Sequence, residues 1–76
     1  MSEATTTKTK YAWYNWDSRR WVVCGYELHC GDCFEVQFQG AWHCVRIEMA
    51  MNEWVLIGLP PGAPKHIDAL PVRRCQ

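Results

Sequence analysis

The chain carries no excess of charge of either sign. Eight Lys and Arg stand against eight Asp and Glu, with a pI near 6.8, so the whole molecule is not the polycation that coats nucleic acid through bulk charge. No run approaches the ~18 apolar residues of a membrane span. The start, SEATTTKTK, lacks the apolar stretch of a secretory signal, and the expected location is the cytoplasm, where thiols stay reduced. The five Cys are an odd number, which fits free thiols better than a complete disulfide framework. No segment combines helical length with a 3.6-residue period. Internal repeats, low-complexity segments and Gly-rich phosphate loops are absent, as is any pair of carboxylates placed for acid–base work. A non-enzymatic role without a cofactor is expected.

Aromatic mass is what the chain does have: five Trp, three Tyr and two Phe in 76 residues. A chain of this size buries only about 60% of the surface that its unfolded form exposes. Each buried aromatic hides roughly 150–250 Å², so most of these rings are expected in the core. Trp is also enriched at contact hot spots, and one or two are expected outside.

Residues 1–10 are Thr- and Lys-rich without apolar periodicity and read as a disordered arm. Residues 11–76 form one domain. Its first hairpin is YAWYNWDSRRWVV, with Asp17-Ser18 as turn chemistry. Loops of two or four residues there give the same pairing, Asn15 with Arg20 and Tyr14 with Trp21. Cys24-Gly25 and Gly31-Asp32 bracket a loop-like passage, YELHC.

The strand Cys33–Gln39 alternates, with Phe34, Val36 and Phe38 on one face. Gly40-Ala41 suits a tight type II′ connection. That turn pairs Phe38 with His43, Val36 with Val45, Glu35 with Arg46 and Phe34 with Ile47. It leaves a core face of Phe34, Val36, Phe38, Val45 and Ile47, and a Glu35–Arg46 charge pair on the other. Ala50-Met51-Asn52 turns the chain into a strand over 54–59, which the prolines of LPPGAP stop. Residues 66–70 fit a single helical or 3₁₀ turn, and Val72-Arg73-Arg74 a closing strand. Five or six short antiparallel strands of this kind predict an all-β, partly open SH3-like barrel.

The run Leu28-His29-Cys30-Gly31-Asp32, with Glu35-Val36, Gly40, Trp42, Arg46-Ile47-Glu48, Trp54 and Gly58-Leu59, resembles a small Firmicute family known only as a domain of unknown function. Val72-Arg73 resembles that family's closing strand. The likeness covers residues 26–59 and the end, and departs at Pro60, Pro61, Pro64 and Pro71. It implies an SH3-like barrel encoded near mobile elements, and no activity.

Geometry limits the candidate chemistry. Cys30-Gly-Asp-Cys33 has zinc-knuckle spacing, and His43-Cys44 could offer a second half. In the register above, Cys33 and Cys44 lie four residues apart along the ladder, about 13 Å at ~3.4 Å per residue. That excludes a shared ion and leaves Cys24, His29, Cys30 and Cys33 as weak loop candidates. A redox role for Cys30-x-x-Cys33 wants a helix N-terminus, whereas a strand follows. A Cys30 or Cys24 nucleophile with His43 as base lacks an oxyanion site, and His43 belongs to the core face.

Two binding readings remain. A protein partner would use Trp42, Trp54, Trp13 and Trp16 as aromatic contacts, although Trp42 also suits a cover on the polar face of the sheet. Nucleic acid would use Arg19 and Arg20 beside Arg73 and Arg74, with Trp13, Tyr14 and Trp16 close by as stacking faces. The protein partner is the leading expectation. No membrane or small-molecule substrate is expected.

Overall fold

The computed structural model describes residues 9–74. Seven strands form: β1 (Trp13–Asn15), β2 (Arg20–Val23), β3 (Tyr26–Glu27), β4 (Cys33–Phe38), β5 (Ala41–Ala50), β6 (Glu53–Ile57) and β7 (Val72–Arg74). They make two antiparallel sheets, ordered β1-β2-β3 and β6-β5-β4-β7. Among the described residues there is no helix, and the sheets do not close into a barrel. The segment ahead of β1 links them through its backbone: Tyr11 bridges Pro71, and the Val72 N–H donates to the Lys10 carbonyl. The arm expected over 1–10 lies outside the described residues for its first eight, while Lys10 belongs to the domain.

The turns explain the strands. Cys24-Gly25, Gln39-Gly40 and Met51-Asn52 each place two consecutive residues at positive φ, 51° and 82°, 53° and 79°, 52° and 66°. Two such residues define the type I′ turn, whose twist matches that of the flanking strands. The first hairpin instead spans a longer loop. The Arg19 N–H donates back to the Asn15 carbonyl, the Asn15 side chain accepts from the Asp17 N–H, and Asn15 pairs with Arg20 as expected.

The central hairpin differs from the sequence reading. Its loop is Gln39-Gly40 rather than Gly40-Ala41, and Phe38 pairs with Ala41, Val36 with His43, Glu35 with Cys44 and Phe34 with Val45. A left-handed residue is needed at both loop positions of a type I′ turn, and the glycine falls second instead of first. Because the partner changes by two positions, the faces survive. Phe34, Val36, Val45 and Ile47 are buried as expected, whereas Phe38, expected with them, is half-buried beside the turn and outside the buried cluster. The Glu35–Arg46 pair does not form; Glu35 accepts from Arg73 on β7, and Arg46 binds Glu48 on its own strand.

The passage after Cys24-Gly25 is a short strand rather than a loop, since Tyr26 and Glu27 pair with Val23 and Val22. β6 ends at Ile57, before Gly58 at φ +100°. Residues 66–70 make a hydrogen-bonded turn, Ala69 N–H to the His66 carbonyl, short of a helix. The core joins both sheets: Ala12, Val23 and Leu28 from one side, Phe34, Val36, Val45, Ile47 and Val72 from the other, with Ile67 from the connection before β7.

Candidate protein-contact surface

The aromatics collect where the first hairpin, the start of β6 and the connection before β7 converge. Tyr14 and Trp21 sit across one ladder position, so their rings share a face; their centroids are 5.3 Å apart in an edge-on contact. Trp16, in the loop, packs edge-on against Tyr14 at 4.7 Å. Trp54 lies on the inner face of β6, opposite Met49. With Glu53, Lys65, His66, Ile67 and Asp68 these rings line an open groove of about 590 Å³.

The groove holds Trp at two depths. Trp21 and Trp54 are half-buried against the core, whereas Trp16 is 81% exposed. Its rim carries both signs of charge, Glu53 and Asp68 against Lys65. A fixed aromatic floor with an exposed ring and a mixed rim is the usual make-up of a protein contact, where large rigid rings supply the energy and rim charges set orientation.

The other aromatic candidates lie elsewhere. Trp13 is on the opposite face of its sheet from Tyr14, across from the buried Val22. Trp42 is half-buried on the outer face of β5, with the Arg73 guanidinium 4.3 Å above its ring. Arg73 also donates to Glu35. Trp42 and Arg73 border a second hollow of about 360 Å³, together with Cys24 and Lys10.

The four arginines of the nucleic-acid reading do not form one patch. Arg73 and Arg74 are successive strand residues and project to opposite faces; Arg74 lies 4.5 Å over the ring of Tyr26. Arg20 donates to the Leu28 carbonyl. Arg19 is exposed at φ 58° in the first hairpin loop.

The cysteine loop is a structural clamp. The Asp32 carboxylate accepts from the His29 N–H at 2.7 Å, Gly31 donates to the Ile47 carbonyl, and Ile47 donates to the Asp32 carbonyl. Cys30 donates to Glu48 at 3.1 Å. Cys24 lies at the far end of β2, in the hairpin turn before β3. The observed register makes Cys33 and Cys44 diagonal neighbours, at about 7–8 Å rather than 13 Å. Distance along the ladder therefore does not separate them as expected. Among the described residues, no group of three or more His, Cys, Asp or Glu is placed to hold a metal ion.

Sequence reasoning named Trp16 and Trp54 as protein contacts and Tyr14 only as a ring beside the arginines of the nucleic-acid reading, and it missed Trp21 and the rim residues. The Tyr14–Trp21 pairing already put two rings on one face; their meeting with residues 53–54 and 65–68 is tertiary and left no local signal.

These features define a small all-β domain of two antiparallel sheets with an aromatic groove at their junction. The chain belongs to the family described as "Domain of unknown function (DUF5348)", whose model matches residues 11–73. It is similar to the crystal structure of a protein from Ruminococcus gnavus, at 32% identity and a TM-score of 0.65, covering 87% of this chain and 99% of that one. No curated protein matches.

Proposed function

We propose that the chain is a non-catalytic module that binds another protein through the groove of Tyr14, Trp16, Trp21 and Trp54. The observation that carries this reading is Trp16, a large ring held in water by a packed neighbour at the mouth of an aromatic-floored groove. Exposing such a ring forfeits hydrophobic stabilisation, which a partner would recover. The groove rim is not cationic, and Arg20, Arg73 and Arg74 are engaged within the domain. Both points favour a protein over nucleic acid.

The family resemblance extends the reading to a partly open SH3-like barrel that serves as an accessory protein of a bacterial mobile element, in the cytoplasm. The link from Lys10 to Val72 is consistent with early and final strands being neighbours, as in such barrels.

The test compares the wild type with Trp16→Ala. Affinity capture from the native host should return a protein that the variant loses, and titration of that purified protein should show at least a tenfold weaker Kd for the variant. Saturable binding of labelled DNA or RNA at low salt, with no protein partner, would replace this reading by the nucleic-acid one.

A further inference from the structure

The hydrogen-bond parity of the larger sheet leaves one edge open. In a two-residue hairpin the positions flanking the loop exchange both backbone hydrogen bonds, and bonded and non-bonded pairs then alternate. For the Met51-Asn52 turn, Ala50 and Glu53 are the flanking pair, with Glu48–Val55 and Arg46–Ile57 following in the same phase. The N–H and C=O of Trp54 and Leu56 therefore point away from β5, along the outer edge of β6.

The same parity is confirmed on the far side of the sheet. Counting from the Gln39-Gly40 turn makes odd-numbered backbone groups of β4 face β7, and the Gln37 N–H does donate to the Pro71 carbonyl. It leaves Val72 facing outward on β7, and the Val72 N–H is taken by Lys10. The β7 edge is thus covered by the chain itself. Along β6 no backbone hydrogen bond to Trp54 or Leu56 comes from any described residue outside the strands.

The strand itself carries little of the usual protection. Exposed edges are blunted with inward charges, Lys, Pro or bulges within the strand, or covered by a loop. β6 reads Glu53-Trp54-Val55-Leu56-Ile57, with no Lys, Pro or charge after Glu53, and the neighbouring 58–63 connection stands off from it across a groove. A groove of about 730 Å³ runs its full length, between the strand and the 58–63 connection, walled by Leu59, Pro60, Pro61 and Ala63. Pro60–Ala63 is fixed by a turn, the Ala63 N–H donating to the Pro60 carbonyl. Lys65 and His66 close both this groove and the aromatic one, so the two are continuous at Trp54.

We propose that β6 accepts an extended segment of the partner protein as an added strand, hydrogen-bonded to the backbone of Trp54 and Leu56. This rests on the module reading above and specifies its binding mode. The segment is about five residues, the length of β6, or ~17 Å. It is apolar and β-branched or aromatic at alternate positions, because the walls are apolar. One set of its side chains continues over Trp54 into the aromatic groove, and a basic residue suits the end beside Glu53. A second copy of this chain is the poorer occupant, because each copy would bring its own 58–63 connection to the shared edge.

The probe is a displayed library of random twelve-residue peptides, selected on the full chain and counter-selected on Trp16→Ala. Selected peptides should lose at least tenfold in affinity when N-methylated at alternate positions and little at the positions between, because only every second amide of an added strand faces β6. Amide exchange read by NMR should show Trp54 and Leu56 exchanging fast in the free protein, beside slow Val55 and Ile57. All four should be protected once peptide is bound. Peptides that depend on Trp16 yet leave Trp54 and Leu56 unprotected, or show no alternation on N-methylation, would overturn the added strand and leave the module standing. A library yielding no peptide that depends on Trp16 would overturn both.

Discussion

The register of the β4–β5 hairpin can be tested by the sign of a single substitution, Gln39→Asn. Gln39 is exposed at φ 53° as the first loop residue, followed by Gly40 at φ 79°. A non-glycine side chain in the left-handed region costs roughly 1–2 kcal/mol, and Asn relieves part of this because its short polar side chain bonds locally. Asn-Gly is also the preferred type I′ pair. The expected gain is about 0.5–1 kcal/mol, which in a domain of this size raises Tm by roughly 2–8 °C. No core contact changes, so urea unfolding should show a higher midpoint with an unaltered slope. Were the loop Gly40-Ala41, Gln39 would be a strand residue, where Asn is disfavoured, and Tm would fall. A lower Tm for Gln39→Asn would therefore refute the register, and with it the pairings of Glu35 with Cys44 and Phe34 with Val45.

Ile47→Ala empties a fully buried site between the sheets and should cost about 2–5 kcal/mol. Against a total on the order of 4–11 kcal/mol for 76 residues, the variant should melt far below the wild type by circular dichroism. Gly58→Ala should cost about 1–3 kcal/mol: φ is +100°, a conformation strained for any L side chain, and the new Cβ would stand 3.2 Å from the Cys44 carbonyl oxygen, so that the β5 backbone would have to give by a few tenths of an ångström. A wild-type Tm would exclude that close approach. Arg73→Ala removes the cation over Trp42 and the partner of Glu35, both partly exposed. It should cost no more than about 1 kcal/mol while altering Trp emission. Trp16→Ala should stay within about 0.5 kcal/mol of the wild type, so that its binding defect is not a folding defect.

The fold was readable wherever period and turn chemistry agreed. Phe34, Val36, Val45 and Ile47 were placed in the core from alternation alone, and they remain there although the hairpin partners differ. Period two protects the face assignment whenever the partner shifts by an even count. What it cannot settle is which residue of a Gly-containing pair opens the loop: Gly40 fits the first position of a type II′ turn and the second of a type I′ turn equally well. The cross-strand charge pair depended on that choice. Glu35 met an arginine all the same, from β7, because the outer face between Trp42 and β7 holds the cation stacked on the ring. Tyr26–Glu27 was read as loop because two residues are too few for a period to register; its pairing comes from the Cys24-Gly25 turn.

The contact surface was legible in proportion to how local it is. Tyr14, Trp16 and Trp21 belong to one hairpin, and its pairing put two of those rings on one face. Trp54 joins them only because β6 runs at the sheet edge and residues 65–68 return beside it. That edge position also gives Trp54 a second role. Its side chain floors the aromatic groove while its backbone N–H and C=O face the open side of β6. A ligand gripping the ring therefore meets unpaired main chain one bond further on. The arginines went the other way: Arg73 and Arg74, adjacent in sequence, are sent by strand alternation to opposite faces, each over its own ring. A basic cluster in a strand is halved by the pleat before any partner arrives, whereas aromatics at one ladder position, as at Tyr14 and Trp21, are gathered on one face by the pairing.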